Sequence, residues 1–102
     1  MSDLPKLVRD KIPEIIENSG RKCVTRRLQE SERKDFFFKK LQEEATEFFE
    51  KPSVQEAADM YEVFLCILRN WNIDFSNVVN HAYDKRQDKG SFDRSIILEN
   101  VE

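Results

Sequence analysis

Two short stretches of helical sequence, separated by a three-residue break, constrain the fold of this chain most strongly. They are residues 41–49 and 53–61, and each carries two acids three positions apart, which places both carboxylates on one side of a helix. The four acids are Glu44 and Glu47, then Glu56 and Asp59. The break, Lys51-Pro52-Ser53, has the composition of a turn, and helices joined by so short a turn run antiparallel. The sequence therefore predicts a helical hairpin with its acid pairs facing each other.

Apolar spacing predicts further helices around this hairpin, so we expect residues 1–102 to form a single all-α domain with a four-helix-bundle-like core. The first expected helix is capped by Asp10, has Pro13 in its first turn and ends at Gly20. The other three run from Ser31 to about Glu50, from Ser53 to about Trp71, and from Asp74 or Ser76 to about Asp88. Residues 22–28 are expected to form a short strand or an extended arm. Residues 95–98 form a second short β-like run, which we expect to pair with residues 24–28.

The third predicted helix is apolar around an unusually wide arc. The residues clearly outside that arc are Gln55, Asp59, Glu62, Arg69 and Asn70. A helix that is apolar on most sides is buried on most sides, and one short chain has little surface with which to cover it. The second helix has a narrower stripe, formed by Phe37, Leu41, Ala45 and Phe48 and widened by Phe38 and Phe49. We therefore expect the core to be completed by a homo-oligomer, either a dimer or a dimer of dimers.

Charge and cysteine content exclude several classes of partner. The 17 basic and 20 acidic residues give a formal charge of −3, which argues against binding a nucleic acid polymer, because that needs a basic face. No apolar run reaches the length of a bilayer span, and no signal peptide is visible. Cys23 and Cys66 lack the spacing of a metal site or a disulfide. We expect a cytoplasmic protein with reduced cysteines and no membrane partner.

Four convergent carboxylates repel one another unless a cation lies among them, and oxygen ligands favour Mg²⁺ or Mn²⁺ over zinc. Glu56 has a competing explanation, because with Ser53 it completes a capping-box pattern. On a helical wheel, however, its neighbours include Met60, Val63 and Ile67, and a carboxylate among apolar groups is costly unless it is paired or metal-bound. The pattern favours a ligand over a pure cap, and the two roles can coexist.

The acids as a set resemble a known motif, EExxE followed by ExxD. Here it consists of Glu43, Glu44 and Glu47, then Glu56 and Asp59. This is similar to the motif of the all-α nucleoside triphosphate pyrophosphohydrolases, which include MazG-like and dimeric dUTPase-like enzymes and phosphoribosyl-ATP pyrophosphohydrolase. Residues 56–61 look most like the phosphoribosyl-ATP enzyme, and residues 6–16 and 85–92 resemble the two ends of a small stand-alone branch.

This resemblance implies a magnesium-dependent hydrolysis of a nucleoside triphosphate to the monophosphate and pyrophosphate, with attack by a carboxylate-activated water. The implied metal ligands are Glu44, Glu47, Glu56 and Asp59, and the implied catalytic acids are Glu43, Glu44 and Glu47. Basic residues must offset the developing phosphate charge. The candidates are Lys85, Arg86, Lys89 and Arg94, with Arg9 and Lys11 as weaker ones. Basic residues at the end of a helix also suit the helix dipole, and the sequence leaves that alternative open.

Two further functions stay open at this stage. Phosphoribosyl-ATP is an alternative substrate, and a non-catalytic helical dimerisation module with a vestigial acid cluster is an alternative from another class. The chain departs from the family at two points: the interval between Glu47 and Glu56 is short, and the tail carries Lys89 and Ser91 where the family has a basic residue and a second glycine. These departures concern the phosphate contacts and the specificity more than the metal site.

Overall fold

The chain folds as an all-α protein, as predicted. The computed structural model describes residues 4–102, and within that range the regular elements are helices and no strand is formed. The four α-helices are α1 (Ile12–Asn18), α2 (Arg33–Glu50), α3 (Val54–Asn70) and α4 (Phe75–Lys89), with a 3₁₀ turn at Glu30–Glu32 directly before α2. Pro13 lies in the first turn of α1, where its missing N–H costs no hydrogen bond.

Helices α2 and α3 form the predicted helical hairpin. Residues 51–53 join them, and the backbone N–H of Lys51 closes the last turn of α2 on the carbonyl of Glu47, at 3.2 Å. Pro52 cannot continue a helix, so the chain turns there. Ser53 then starts α3, because its Oγ accepts the backbone N–H of Glu56 at 3.1 Å. This turn places the middle of α2 beside the first turns of α3.

The core of the hairpin is small, and its apolar stripe is narrower than the sequence predicts. Phe37 of α2 is buried, and the other members of the predicted stripe, Leu41, Ala45 and Phe48, are half-buried. The predicted widening of the stripe is wrong, because Phe38 and Phe49 are largely exposed. In α3 the described residues cover the wide apolar arc only in part. Leu68 is buried, Met60, Leu65 and Ile67 are half-buried, and Val54 and Tyr61 are exposed.

The chain divides into two compact units, and the division falls inside α3. The first unit is Met1–Ile67, and it contains α1, α2 and most of α3. The second unit is Leu68–Glu102, in which the N–H of Ile73 bonds to the carbonyl of Leu68 at 2.9 Å and ends α3. Gly90, at φ +87°, ends α4 in a conformation that favours glycine. The single domain expected from the chain length stays a prediction.

The expected strand pairing of residues 24–28 with 95–98 is wrong. In the described chain neither segment forms a strand, and Val24 is fully exposed, so no buried face favours strand pairing there. The alternative of an extended arm at residues 22–28 stays a prediction. Ser95 has φ +55°, which interrupts an extended run at its first residue. In residues 95–98 the apolar side chains of Ile96, Ile97 and Leu98 are mostly exposed.

No helix within residues 4–102 combines the length and the apolar character that crossing a membrane requires.

Candidate metal centre

Three carboxylates from the two helices of the hairpin lie close together. Glu44 lies on α2, Glu56 and Asp59 lie on α3, and one oxygen from each side chain lies within 4.8 Å of the others. We call these three residues the acid triad. The spacing of three between Glu56 and Asp59 puts both on one side of α3, and the tight turn at residues 51–53 brings Glu44 opposite them. Three of the four predicted ligands are therefore brought together.

Two oxygens of the acid triad are buried without a hydrogen-bond partner. They are Oε1 of Glu44 and Oε1 of Glu56. The whole Glu44 residue is only 7% exposed, and it is the one buried charged residue within the described chain. A buried carboxylate oxygen that lacks a partner costs free energy, and such groups in folded proteins are normally satisfied. The two unpartnered oxygens are what a cation ligand would leave when the cation is removed.

The cap and the ligand roles of Glu56 use different atoms. Ser53 Oγ accepts the backbone N–H of Glu56, so this half of the capping box needs no contribution from the Glu56 side chain. The Oε1 of that side chain is buried and has no hydrogen-bond partner. The capping interaction therefore fixes the backbone of Glu56 and leaves this oxygen available.

Lys40 is the principal counter-charge of Glu44. Its Nζ lies 3.2 Å from Glu44 Oε2 and 3.4 Å from Glu43 Oε1, and its side chain is only 14% exposed. Burial raises the pKa of Glu44, the hydrogen bond and charge of Lys40 lower it, and the charges of Glu47 and Asp59 raise it, with a net upward result. Lys40 thus holds one oxygen of Glu44, and the other is the unpartnered one.

A segment before α1 supplies two more cations. We call residues 6–11 the N-terminal arm. Within it, Lys6 Nζ donates to Glu43 Oε2 on α2 at 3.3 Å, and Arg9 Nη2 donates to Asp59 Oδ1 on α3 at 2.8 Å. The bond to Asp59 raises the pKa of Arg9. Burial by itself would raise the pKa of Glu43, but the charges and hydrogen bonds of Lys40 and Lys6 bring it below its ordinary value.

The remaining predicted residues of the first unit lie outside the acid triad. Glu47 is exposed, and its carboxylate does not belong to the acid triad. Its charge nevertheless contributes to the raised pKa of Glu44. Lys11 is exposed and precedes α1 as its N-cap residue. Glu43 points its carboxylate to Lys6 and Lys40.

The predicted phosphate-binding residues of the tail belong to the second unit. Lys85 and Arg86 are exposed on α4, and the Arg86 guanidinium lies 5.9 Å from the centre of the Tyr83 ring. Lys89 and Arg94 line one surface depression together with Ser91. The structure therefore brings Lys89 and Arg94 together, whereas their role toward the acid triad stays a prediction.

The donor set of the acid triad fits a hard divalent cation. All three ligands are carboxylates, and no imidazole or thiolate belongs to the group within the described chain. Carboxylate oxygens suit Mg²⁺ and Mn²⁺, whereas zinc and copper sites use nitrogen or sulfur. His81 lies on α4 with its Nδ1 3.1 Å from the carbonyl oxygen of Asn77. Neither Cys23 nor Cys66 forms a disulfide in the described chain, and neither belongs to the acid triad. The residues present fit magnesium.

Two residues of this centre, Lys40 and Lys6, are absent from the site residues that the sequence predicts. The sequence does carry a signal for Lys40, because it lies three residues before Glu43 and four before Glu44. It also lies beside the apolar stripe, where a lysine stem packs while its charge reaches a partly buried acid. No sequence signal identifies Lys6, because its contact spans 37 residues.

The chemistry of this centre has to be inferred from its own residues. The acid triad, its unpartnered oxygens and its attached basic groups are the relevant features. The residues that contribute these features lie on α2, on α3 and in the N-terminal arm. Comparison with other proteins adds nothing to them, because no protein-family model, no curated protein and no solved structure matches this chain.

Proposed function

We propose that this chain is a magnesium-dependent nucleotide pyrophosphohydrolase, which cleaves a nucleoside triphosphate to the monophosphate and pyrophosphate. One observation carries the proposal: carboxylate oxygens of two helices converge within 4.8 Å, and two buried oxygens among these residues have no hydrogen-bond partner. Buried carboxylate oxygens that lack a partner destabilise a small fold, and a cation that binds them in the folded state offsets that cost. The order of the acids along the chain, EExxE then ExxD, supports the same chemistry.

In this proposal the acid triad holds the cation, with Mn²⁺ as a substitute for Mg²⁺. The bound cation supplies charge neutralisation on the phosphates and makes the α-phosphorus more electrophilic. Glu47 is the preferred general base, because within residues 4–102 its exposed carboxylate has no ion pair. Glu43 is less suited to accept a proton, since Lys6 and Lys40 hold it and lower its pKa. Glu43 instead helps to fix Lys40 beside Glu44.

The basic residues are proposed to contact the substrate phosphates. Lys85, Arg86, Lys89 and Arg94 are exposed, and Lys89 and Arg94 line one depression whose two positive charges suit an anion. An anion there competes with Asp88, which lies 3.5 Å from Lys89 Nζ. Arg9 and Lys11 are further candidates, because Arg9 is bonded to Asp59 of the acid triad and Lys11 belongs to the same N-terminal arm. Phosphoribosyl-ATP stays the alternative substrate.

We also propose that the active form is a homo-oligomer. Large apolar side chains are exposed in each unit, among them Val54 and Phe49 in the first unit and Phe92 in the second. A surface rich in exposed apolar side chains is typical of a protein–protein interface, and a second copy of the chain would cover it. Light scattering should give a dimer or tetramer at micromolar concentration, and a stable monomer would exclude this proposal.

The proposed location is the cytoplasm. Cys23 and Cys66 are half-buried, and neither forms a disulfide in the described chain. Cysteines that form no disulfide suit a reducing compartment.

The test is pyrophosphate release from a panel of nucleotides, phosphoribosyl-ATP included, with Mg²⁺ and with chelator. We expect release that requires Mg²⁺ and that Glu44→Gln abolishes. The matched control is Glu50→Gln, which removes an exposed acid from the same helix outside the acid triad. Release from phosphoribosyl-ATP alone would select the alternative substrate. No release from any nucleotide would leave the non-catalytic dimerisation module as the better description.

A further inference from the structure

The acid triad is closed by basic groups of the chain itself. Arg9 of the N-terminal arm is bonded to Asp59, and Lys40 of α2 is paired with Glu44, so two of the three acids already have a cationic partner. Lys6 anchors the other end of the arm on Glu43. The arm therefore spans the hairpin, with one ion pair to α2 and one to α3. A cation that enters the acid triad has to compete with these groups.

The acids of this cluster outnumber its bases before any cation binds. Its acids are Glu43, Glu44, Glu56 and Asp59, and its bases are Lys6, Arg9 and Lys40. The charges of Glu47 and Glu62 also act on Glu44 and Arg9. The cluster therefore keeps a net negative charge, which attracts a divalent cation, and a bound cation would reduce the repulsion that an anion meets beside it.

The two cations next to the acid triad differ in how easily they can leave. The side chain of Lys40 is only 14% exposed and is held between two acids of its own helix. The side chain of Arg9 is 55% exposed and belongs to an irregular segment. Among residues 4–102 it forms an ion pair with Asp59, and the charges of Glu62 and Glu44 also act on it. An exposed ion pair contributes little to stability, so Arg9 is detached at small cost whereas Lys40 stays in place.

We propose that Arg9 is an exchangeable counter-ion of the metal centre: a divalent cation displaces it from Asp59, and the freed guanidinium then binds the phosphate that accompanies the cation. The proposal rests on the proposed function, because it assumes that the acid triad binds the cation. It also has independent support in the unpartnered Oε1 of Glu44, a residue more than nine-tenths buried within the acid triad. Its consequence is that cation and phosphate bind cooperatively, since each removes a cost of binding the other.

The experiment measures Mg²⁺ affinity by titration calorimetry, with and without inorganic phosphate, for the wild type and two variants. Arg9→Gln removes the counter-ion. Arg21→Gln removes the same charge from an exposed position that has no part in the cluster, and it is the matched control. We expect Arg9→Gln to bind Mg²⁺ alone about tenfold more tightly, because the competing charge is gone. Phosphate should tighten Mg²⁺ binding at least about fivefold in the wild type and in Arg21→Gln, but not in Arg9→Gln.

Equal Mg²⁺ affinities in all three proteins would overturn the exchange while leaving the metal centre intact. A phosphate effect that persists in Arg9→Gln would overturn the transfer of the guanidinium to phosphate. Failure of all three proteins to bind Mg²⁺ would overturn both this proposal and the proposed function. Arg9→Lys adds a further check, since a retained positive charge should return the Mg²⁺ affinity toward that of the wild type.

Discussion

Replacement of Glu56 by glutamine should stabilise the protein without Mg²⁺ and destabilise it, relative to the wild type, when Mg²⁺ is added. The oxygens of the acid triad lie within 4.8 Å of one another. At that distance two like charges repel by about 1 kcal/mol in bulk water and about 3.5 kcal/mol at an effective dielectric constant of about 20. Arg9 and Lys40 offset part of this repulsion. In chelator we therefore expect Glu56→Gln to be more stable than the wild type, by about 1 kcal/mol.

With Mg²⁺ present, binding to the folded state reverses the order. At a Mg²⁺ concentration of about 100 Kd the wild type gains about 2.7 kcal/mol. A neutral amide is a poor magnesium ligand, and if the variant binds about 100-fold more weakly it gains only about 0.4 kcal/mol. The variant should then be less stable than the wild type by about 1 kcal/mol, which corresponds to roughly 4–8 °C in Tm for a domain of this size.

The assay is thermal unfolding of both proteins in chelator and in excess Mg²⁺, with pyrophosphate release measured in parallel. Glutamine serves in a capping box about as well as glutamate, and the bond from the Glu56 N–H to Ser53 Oγ does not involve the side chain, so a pure cap predicts no change in either condition. Glu50→Gln is the control for loss of one acidic charge. Equal Mg²⁺-induced shifts in the wild type and Glu56→Gln, with equal rates, would refute the ligand role.

Three other predictions follow from the same contacts. Lys40→Met should lower the free energy of unfolding by about 1–3 kcal/mol, because it leaves the buried carboxylate of Glu44 without its counter-charge. The control Lys39→Met should leave the free energy of unfolding unchanged. Denaturant unfolding measures both variants, and a similar loss in the two would contradict the prediction. Burial holds the pKa of Glu44 above its ordinary 4.5, so the folded state binds that proton more tightly, and stability should fall as the pH rises from 4.5 through the folded-state pKa. The measurement is the free energy of unfolding of the wild type minus that of Glu44→Gln, from about pH 4 to about pH 7 in chelator. This difference should fall as the pH rises, and a difference that does not change with pH would contradict the prediction. Finally, Lys85→Ala with Arg86→Ala should raise KM for the nucleotide and leave Mg²⁺ affinity nearly unchanged, whereas unchanged kinetics would return both residues to a helix-dipole role.

Much of the fold follows from local sequence rules. The hairpin was predictable because Pro52 breaks the helix and Ser53 starts the next one, and both effects act within one turn. The predicted boundary of the second helix at Ser31 differs from the structure by two residues, because residues 30–32 form a 3₁₀ turn before the α-helix begins. The short strands were mispredicted because a β-branched run forms a strand only when a partner and a buried face are present.

The acid triad was predictable from spacing, whereas its counter-ions were not. Positions three apart on two facing helices place Glu44, Glu56 and Asp59 together without knowledge of the rest of the chain. Spacing does not distinguish which acid of the α2 pair turns inward, and Glu47 is exposed while Glu44 is buried. The arm contact of Arg9 with Asp59 joins residues 50 positions apart, and no periodic pattern encodes such a pairing.

The position of Glu56 in the first turn of α3 ties the metal centre to the order of a helix end. The terminal turns of helices fray, because their first N–H groups have no partner within the helix. Ser53 opposes fraying here by accepting the N–H of the very residue that contributes a carboxylate to the acid triad. Whenever this turn opens, the chain loses that carboxylate, so the apparent cation affinity is scaled by the fraction of molecules in which the turn is closed. In the proposed metal centre, formation of the helix turn at Ser53 and binding of the cation would therefore be a single coupled equilibrium.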